Sequence, residues 1–309
     1  MKDGTGLTQF AKEFPKRFFD VGIAEQHALC MAAGMAKAGM KPVVPIYSSF
    51  YQRAYDQVIH DIAIQNLPVI MCVDRAGAVG ADGETHQGLL DMSFFRLVPN
   101  LVILAPKDFK ELEDMLEFAI NLNKPVVIRY PRGGESNYKF EEHSNIQLGK
   151  AEKIKEGKDV SIIAIGKTVS KAIEIAENLE NELKKENKNY KISRNKEEMQ
   201  NNFEEKQDFS VEVINARFLK PLDKKTIKES IEKTKNVITI EDGTIINGLG
   251  TAIKELIVES KLENINVKSF AYPDKFIEHG SVEELEKRYN IDKESIINNI
   301  LEGINTNNE

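Results

Sequence analysis

Residues 74–88 read Asp-Arg-Ala-Gly-Ala-Val-Gly-Ala-Asp-Gly-Glu-Thr-His-Gln-Gly, a run of ionisable groups set among glycines and alanines. Arg75 suits an anion, which a guanidinium can grip with two parallel donors. Asp82 and His86 suit proton transfer or recognition of a hydroxyl. A satisfied surface histidine is the commoner reading of His86 alone, and its company argues against it here. The apolar run 67–73 just before reads as a buried strand. In α/β proteins, ligands sit where such a strand ends in a glycine-rich loop.

Three more stretches carry chemistry. Residues 18–28, Phe-Phe-Asp-Val-Gly-Ile-Ala-Glu-Gln-His-Ala, place Glu25 at the start of a helix of small residues. The helix dipole alone favours an acid there, so Glu25 is either catalytic or simply a helix-start residue. Residues 46–57 gather Tyr47, Phe50, Tyr51 and Tyr55 with Arg53. The aromatics offer a stacking platform for a flat ring, or ordinary packing. Arg53 binds a phosphate or carboxylate, or pairs with a surface acid. Residues 128–134, Ile-Arg-Tyr-Pro-Arg-Gly-Gly, put Arg132 after another apolar strand. In a parallel sheet both loops leave the same edge, so Arg75 and Arg132 are expected to converge on one phosphate.

The elements that must position these residues alternate. Runs 42–46, 67–73, 101–104 and 125–129 read as strands, and 25–38, 49–65 and 108–122 as helices, the last capped by Asp108. Such alternation predicts an α/β fold with a parallel sheet. A polar linker follows at 141–152. A second, smaller α/β unit spans 153–305, with strands at 160–165, 211–215, 237–241 and 267–270 and helices at 168–183, 248–260, 282–289 and 293–301. Within it, 184–208 is rich in Lys, Glu and Asn, and reads as a mobile surface insertion.

Bulk properties narrow the class. The chain has 309 residues, 41% hydrophobic and 29% charged, enough for about two domains. Its net charge of −7 argues against a nucleic-acid surface. No apolar run approaches the roughly 18 residues of a membrane helix, and the opening residues lack the apolar core of a secretory signal. Cys30 and Cys72 read as buried, reduced thiols, which points to the cytoplasm.

Together, stretches 18–28, 47–57, 74–88 and 130–133 resemble the thiamine-diphosphate enzymes of the transketolase group. Within it they most resemble the 1-deoxy-D-xylulose-5-phosphate synthase family. Asp-Arg-Ala-Gly-x-Val-Gly-x-Asp-Gly-x-Thr-His-x-Gly is typical of that family. Residues 215–223, Asn-Ala-Arg-Phe-Leu-Lys-Pro-Leu-Asp, and 272–280, Tyr-Pro-Asp-Lys-Phe-Ile-Glu-His-Gly, resemble its C-terminal domain. The resemblance covers the chain apart from the insertion.

The resemblance implies that residues 1–140 form the pyrimidine-binding domain, ahead of a transketolase-type C-terminal domain. A glutamate at Glu25 would hydrogen-bond the aminopyrimidine ring and favour the tautomer that removes the thiazolium proton. It should be buried, with its neutral form favoured. Phe50 would stack on the pyrimidine, and Ile23 would line the cofactor site. His86, Asp82 and Tyr47 would contact substrate. Arg75, Arg132 and Arg53 would hold the phosphate of glyceraldehyde 3-phosphate, which the family joins to pyruvate with loss of carbon dioxide.

Full-length members open with a domain that binds the diphosphate through Mg²⁺, using Gly-Asp-Gly and a downstream Asn. Residues 81–83 and 241–243 with Asn247 only imitate that motif. No metal ligand is expected in this chain, and the Mg²⁺ ligands are expected on a missing N-terminal domain. The chain is thus expected to be a C-terminal portion or a split subunit, with an open sheet edge. It is expected to act as a homodimer or with a diphosphate-binding half. Two alternatives stay open: a split transketolase or 2-oxoacid dehydrogenase β-type subunit, and a non-catalytic, truncated assembly module. Arg75-Ala76-Gly77 ahead of the Asp-Gly-x-Thr-His core favours the synthase.

Overall fold

The computed structural model describes residues 2–140, 144–185 and 209–306. Its first sheet is built from β1 (Val43–Tyr47), β2 (Ile70–Asp74), β3 (Val102–Leu104) and β4 (Val126–Arg129), all parallel, in the order β1-β2-β4-β3. Every residue of β2, β3 and β4 is buried, as continuous apolar runs in a parallel sheet require. The strand ends are level: Tyr47 pairs with Asp74, and Val73 with Arg129. The loops after β1, β2 and β4 therefore leave side by side. Among the described residues, β1 pairs with β2 alone and stands at the edge of the sheet.

Around this sheet lie α1 (Thr8–Glu13), α2 (Glu25–Lys37), α3 (Ser48–Tyr51), α4 (Tyr55–Gln57), α5 (Asp91–Leu97) and α6 (Phe109–Leu122). Asp108 caps α6 by accepting from the Glu111 amide, as its position predicts. The helix expected over 49–65 is instead broken. A 3₁₀ turn, Gln52–Ala54, separates α3 from α4, and a π turn, Val58–Ala63, follows. The wide turn seats Val58, Ile62 and Ala63 in the core. Cys30 also departs from expectation. On α2, Leu29 and Ala33 face the core, and Cys30, on a different side of the turn, is exposed and donates to Asp61.

The second sheet holds β5 (Glu152–Lys155), β6 (Val160–Ala164), β7 (Val211–Asn215), β9 (Asn236–Thr244) and β10 (Asn266–Tyr272), in the order β10-β9-β6-β7-β5. All are parallel except β5. Helices α7 (Thr168–Lys185), α8 (Lys224–Thr234), α9 (Leu249–Glu259), α10 (Val282–Arg288) and α11 (Lys293–Thr306) accompany it. Ser281 and Glu284 form a reciprocal capping box at α10. Most of the insertion read at 184–208 lies outside the described residues.

β8 (Phe218–Lys220) joins the two halves. It follows β7 in the chain but pairs antiparallel with β3 of the first sheet. A buried ionic network sits beside this crossover. Arg217 Nε donates to Glu111 Oε1 at 2.7 Å, and its Nη2 lies 2.9 Å from Glu152 Oε1. Lys107 reaches the same two carboxylates, and Asn215 donates to Glu111 at 3.1 Å. Burying such charges is tolerable because each finds an opposite partner. Among the described residues, no helix is long and apolar enough to cross a membrane.

Candidate active site

The level ends of β1, β2 and β4 bring the loop residues together. Tyr47 closes β1, and its ring stacks on Phe50 with centroids 5.2 Å apart. Phe50 meets the His86 ring edge-on at 5.3 Å. Arg75 follows β2 in the left-handed region, at φ +57°, and its guanidinium carbon stands 3.7 Å from the Tyr47 ring centroid. Arg75 Nη1 donates to Asp74 Oδ2 at 3.1 Å and to the Gly4 carbonyl at 3.0 Å. Its Nε is buried without a hydrogen-bond partner among the described residues. Burial raises the Asp74 carboxyl above its usual range, although Arg75 opposes the shift.

Arg132, after β4, is exposed and donates to Asp82 Oδ1 at 2.7 Å, while Arg75 Nε lies 3.7 Å from Asp82 Oδ2. The two arginines do approach one anion, and that anion is the chain's own carboxylate. His86 is half-buried, with Nδ1 2.9 Å from Thr85 Oγ1.

Glu25 opens α2, where Ala24 offers no side-chain cap. It is buried, and its Oε2 has no hydrogen-bond partner among the described residues. Arg53 Nη1 lies 3.9 Å from that oxygen, with a largely exposed side chain. The turn carrying Arg53 packs on α2 and continues from α3, which carries Phe50. Ile23, two residues before Glu25, is exposed.

The loop's shape depends on close backbone approaches. Gly77 and Gly88 exchange both backbone hydrogen bonds, at 2.7 and 2.8 Å. A Cβ on Gly88 would stand 2.1 Å from the Arg75 carbonyl oxygen, and one on Gly77 would stand 1.7 Å from Asp242. Both positions therefore demand glycine.

The second half of the chain holds this loop from below. Asp242 Oδ1 accepts from the Ala78 amide at 3.1 Å, and its Oδ2 pairs with Lys167 at 2.6 Å. Gln87 accepts from Val79 and donates to the Glu278 carbonyl. Arg129 grips Asp91 with two donors and donates to the Asp242 carbonyl at 2.9 Å. Sequence reasoning misses Asp242, Lys167, Gln87 and Arg129 in this role, because their partners are distant in the chain. Glu241 accepts from the Leu249 and Gly250 amides at the start of α9, while burial raises its carboxyl. Asn247 binds Ser93 and Arg96. The Glu241-Asp242-Gly243 stretch thus ties elements together, and among the described residues no cluster of three or more His, Cys, Asp or Glu could hold a metal ion.

Two α/β units in one chain, the first with the loops after β1, β2 and β4 gathered at one end of a parallel sheet, make up an α/β protein of the transketolase type. The model of the transketolase pyrimidine binding domain matches residues 1–135, and that of the transketolase C-terminal domain matches 149–187 and 198–296. By these two domains the chain belongs to the transketolase family. Curated relatives that it matches include 1-deoxy-D-xylulose-5-phosphate synthases. That of Halothermothrix orenii is 50% identical over 302 residues, 97% of this chain and 44% of the relative. Those of Caldanaerobacter subterraneus and Clostridium tetani are 48% and 44% identical, again over 44% of their own length. The chain spans less than half the length of these relatives. Among solved structures, a split gene transketolase in an inactive β4 tetramer matches with a TM-score of 0.81 and 27% identity, over 98% of this chain and 89% of that one. The transketolase of Campylobacter jejuni, at TM-score 0.67 and 19% identity over 92% of this chain and 39% of its own, shares the fold.

Proposed function

We propose that the chain supplies the pyrimidine-binding and C-terminal domains of a thiamine-diphosphate-dependent synthase. The reaction condenses pyruvate with glyceraldehyde 3-phosphate to 1-deoxy-D-xylulose 5-phosphate and carbon dioxide. The observation that carries this reading is the buried Oε2 of Glu25, which lacks a hydrogen-bond partner among the described residues. A buried oxygen of this kind costs free energy until a ligand satisfies it, and the ring nitrogen of an aminopyrimidine can share a proton with it. The names of the curated relatives support the choice of reaction.

Thiamine diphosphate, when bound, supplies the electron sink for decarboxylation. Glu25 holds a proton at the aminopyrimidine, Phe50 offers its ring face, and Ile23 adds apolar contact. His86 and Asp82 position or move protons at the substrate, with Tyr47 beside them. Arg75, Arg132 and Arg53 orient the acceptor's phosphate. The Mg²⁺ ligands belong, in this reading, to a diphosphate-binding domain supplied by a complementing half, and the working unit is a dimer or such a complex. We assign the domains to 1–140 and 153–305, joined by 141–152. The two free cysteines fit a reducing cytoplasm.

The test is carbon dioxide release from pyruvate plus glyceraldehyde 3-phosphate, with the cofactor and Mg²⁺, for the chain alone and mixed with a matched N-terminal half. Activity in the mixture supports the reading. Silence in both, from a folded chain, turns it to a non-catalytic assembly module. The split transketolase that matches over nearly the whole of both chains favours a second reading, a split transketolase subunit. A ketose-phosphate donor preferred over pyruvate would select it.

A further inference from the structure

The two arginines read as a phosphate clamp already face an anion. Asp82 Oδ1 accepts from Arg132 at 2.7 Å, and its Oδ2 stands 3.7 Å from Arg75 Nε. Arg75 Nη1 is committed to Asp74 and Gly4, and Nε is the buried donor with no hydrogen bond of its own among the described residues. The site therefore holds a carboxylate that bonds one arginine well and leaves a donor of the other unsatisfied.

Charge sharpens the point. Asp74 and Asp82 together cancel Arg75 and Arg132, so the cluster is neutral while Asp82 is in place. An incoming phosphate then meets a like charge and gains no net attraction. With Asp82 swung aside, the other three groups carry one net positive charge. Asp82 ends a single 3₁₀ turn, Gly80–Asp82, and glycines in the left-handed region flank it, Gly80 at φ +63° and Gly83 at +77°. Its side chain is 29% exposed, so a path to water is open.

We propose that Asp82 is a resident competitor anion that makes the arginine pair selective for phosphate monoesters over carboxylates. A phosphate dianion displaces it because the exchange adds a charge to the clamp. The carboxylate of a 2-oxoacid does not, because one carboxylate merely replaces another. The donor substrate is thereby kept off the acceptor's site. This rests on the reading of Arg75 and Arg132 as the phosphate site, and adds the source of its selectivity.

Calorimetric titration of the full chain tests it, at about pH 8, where a phosphate is mostly dianionic. The probes are inorganic phosphate and acetate. The native chain should bind phosphate and ignore acetate. Asp82→Asn should bind phosphate about tenfold more tightly and acquire measurable acetate binding, as removal of a like charge within a few ångströms predicts. Phosphate affinity unchanged or weakened in Asp82→Asn, with binding abolished in Arg132→Ala, would overturn the competitor role and leave the phosphate site standing. No phosphate binding in either the native chain or Asp82→Asn would overturn the phosphate site itself.

Hydrogen exchange on the native chain needs no variant. The Gly83 and His86 amides bond to Gly80 and Gly83 carbonyls at 3.0 Å. Saturating phosphate should speed their exchange as Asp82 leaves. Slower exchange would mean that phosphate adds beside a fixed Asp82, which overturns the proposal.

Discussion

The guanidinium carbon of Arg75 stands 3.7 Å from the centroid of the Tyr47 ring. Strand register produces this contact. Tyr47 and Asp74 are paired residues of β1 and β2, and the left-handed backbone of Arg75 follows directly. The platform is therefore fixed by the sheet rather than by loop chance. Tyr47→Ala should weaken phosphate binding several-fold, in line with a cation–π contact of about 0.5–2 kcal/mol. Tyr47→Phe should retain it. Calorimetry on both variants checks this, and equal losses would point to the hydroxyl instead of the ring.

Glu25 should separate function from stability. Its buried Oε2 has no hydrogen-bond partner among the described residues. Glu25→Gln keeps the shape of the side chain and its place at the start of α2, so the thermal midpoint should hold. Activity in the reconstituted enzyme should fall by about a hundredfold or more, the scale of lost proton-transfer catalysis. A lower midpoint with activity retained would make Glu25 a helix-start residue.

The network around Arg217 should behave in the opposite way. Arg217→Ala takes from the carboxylates of Glu111 and Glu152 one of their two cations, Lys107 being the other, and should cost about 3 kcal/mol in urea unfolding. The pH dependence follows from Glu152. Burial pushes its carboxyl up, but Lys107 and Arg217 outweigh that and hold it below the usual range. Its stabilisation is present above the unfolded value of about 4.3 and is lost as pH falls through the lower folded value. Glu152→Gln should flatten that acid limb. An unchanged slope below about pH 4 would contradict it.

The two thiols should differ in reactivity for different reasons. Burial pushes Cys72 up to about 12, so it should label only when the chain unfolds. Cys30 is exposed, but its hydrogen bond to Asp61 raises its thiol, with burial adding to the effect. Asp61→Asn should speed alkylation of Cys30 several-fold at neutral pH, because the thiolate is the nucleophile. An unchanged rate would mean that the carboxylate does not control the thiol.

Much of this architecture can be read from local signals. The apolar runs of β1 to β4 and the Asp108 cap of α6 are visible in hydropathy and capping chemistry. β8 is not, because three residues ahead of Pro221 carry no periodicity and their partner β3 lies far away in sequence. α8 is equally quiet, since Ile227 and Ile231 are its buried hydrophobic residues on an otherwise charged helix. At the site, the convergence of Arg75 and Arg132 follows from parallel strands. That Asp82 would lie between them does not, because it depends on how two glycines turn the loop. The grip of Asp242 and Lys167 on Ala78 is a contact between halves, which no local pattern encodes.

The strand β8 also bears on how such proteins are inherited. By chain order it belongs with the second module, and by pairing it belongs to the first. A recombination event that carried off residues 1–140 alone would strip β3 of its outer neighbour and bare a row of backbone donors and acceptors. The reciprocal product would keep a three-residue ribbon with no sheet to join. The two modules are therefore interdependent, since each needs the crossover strand to keep its partner sheet complete.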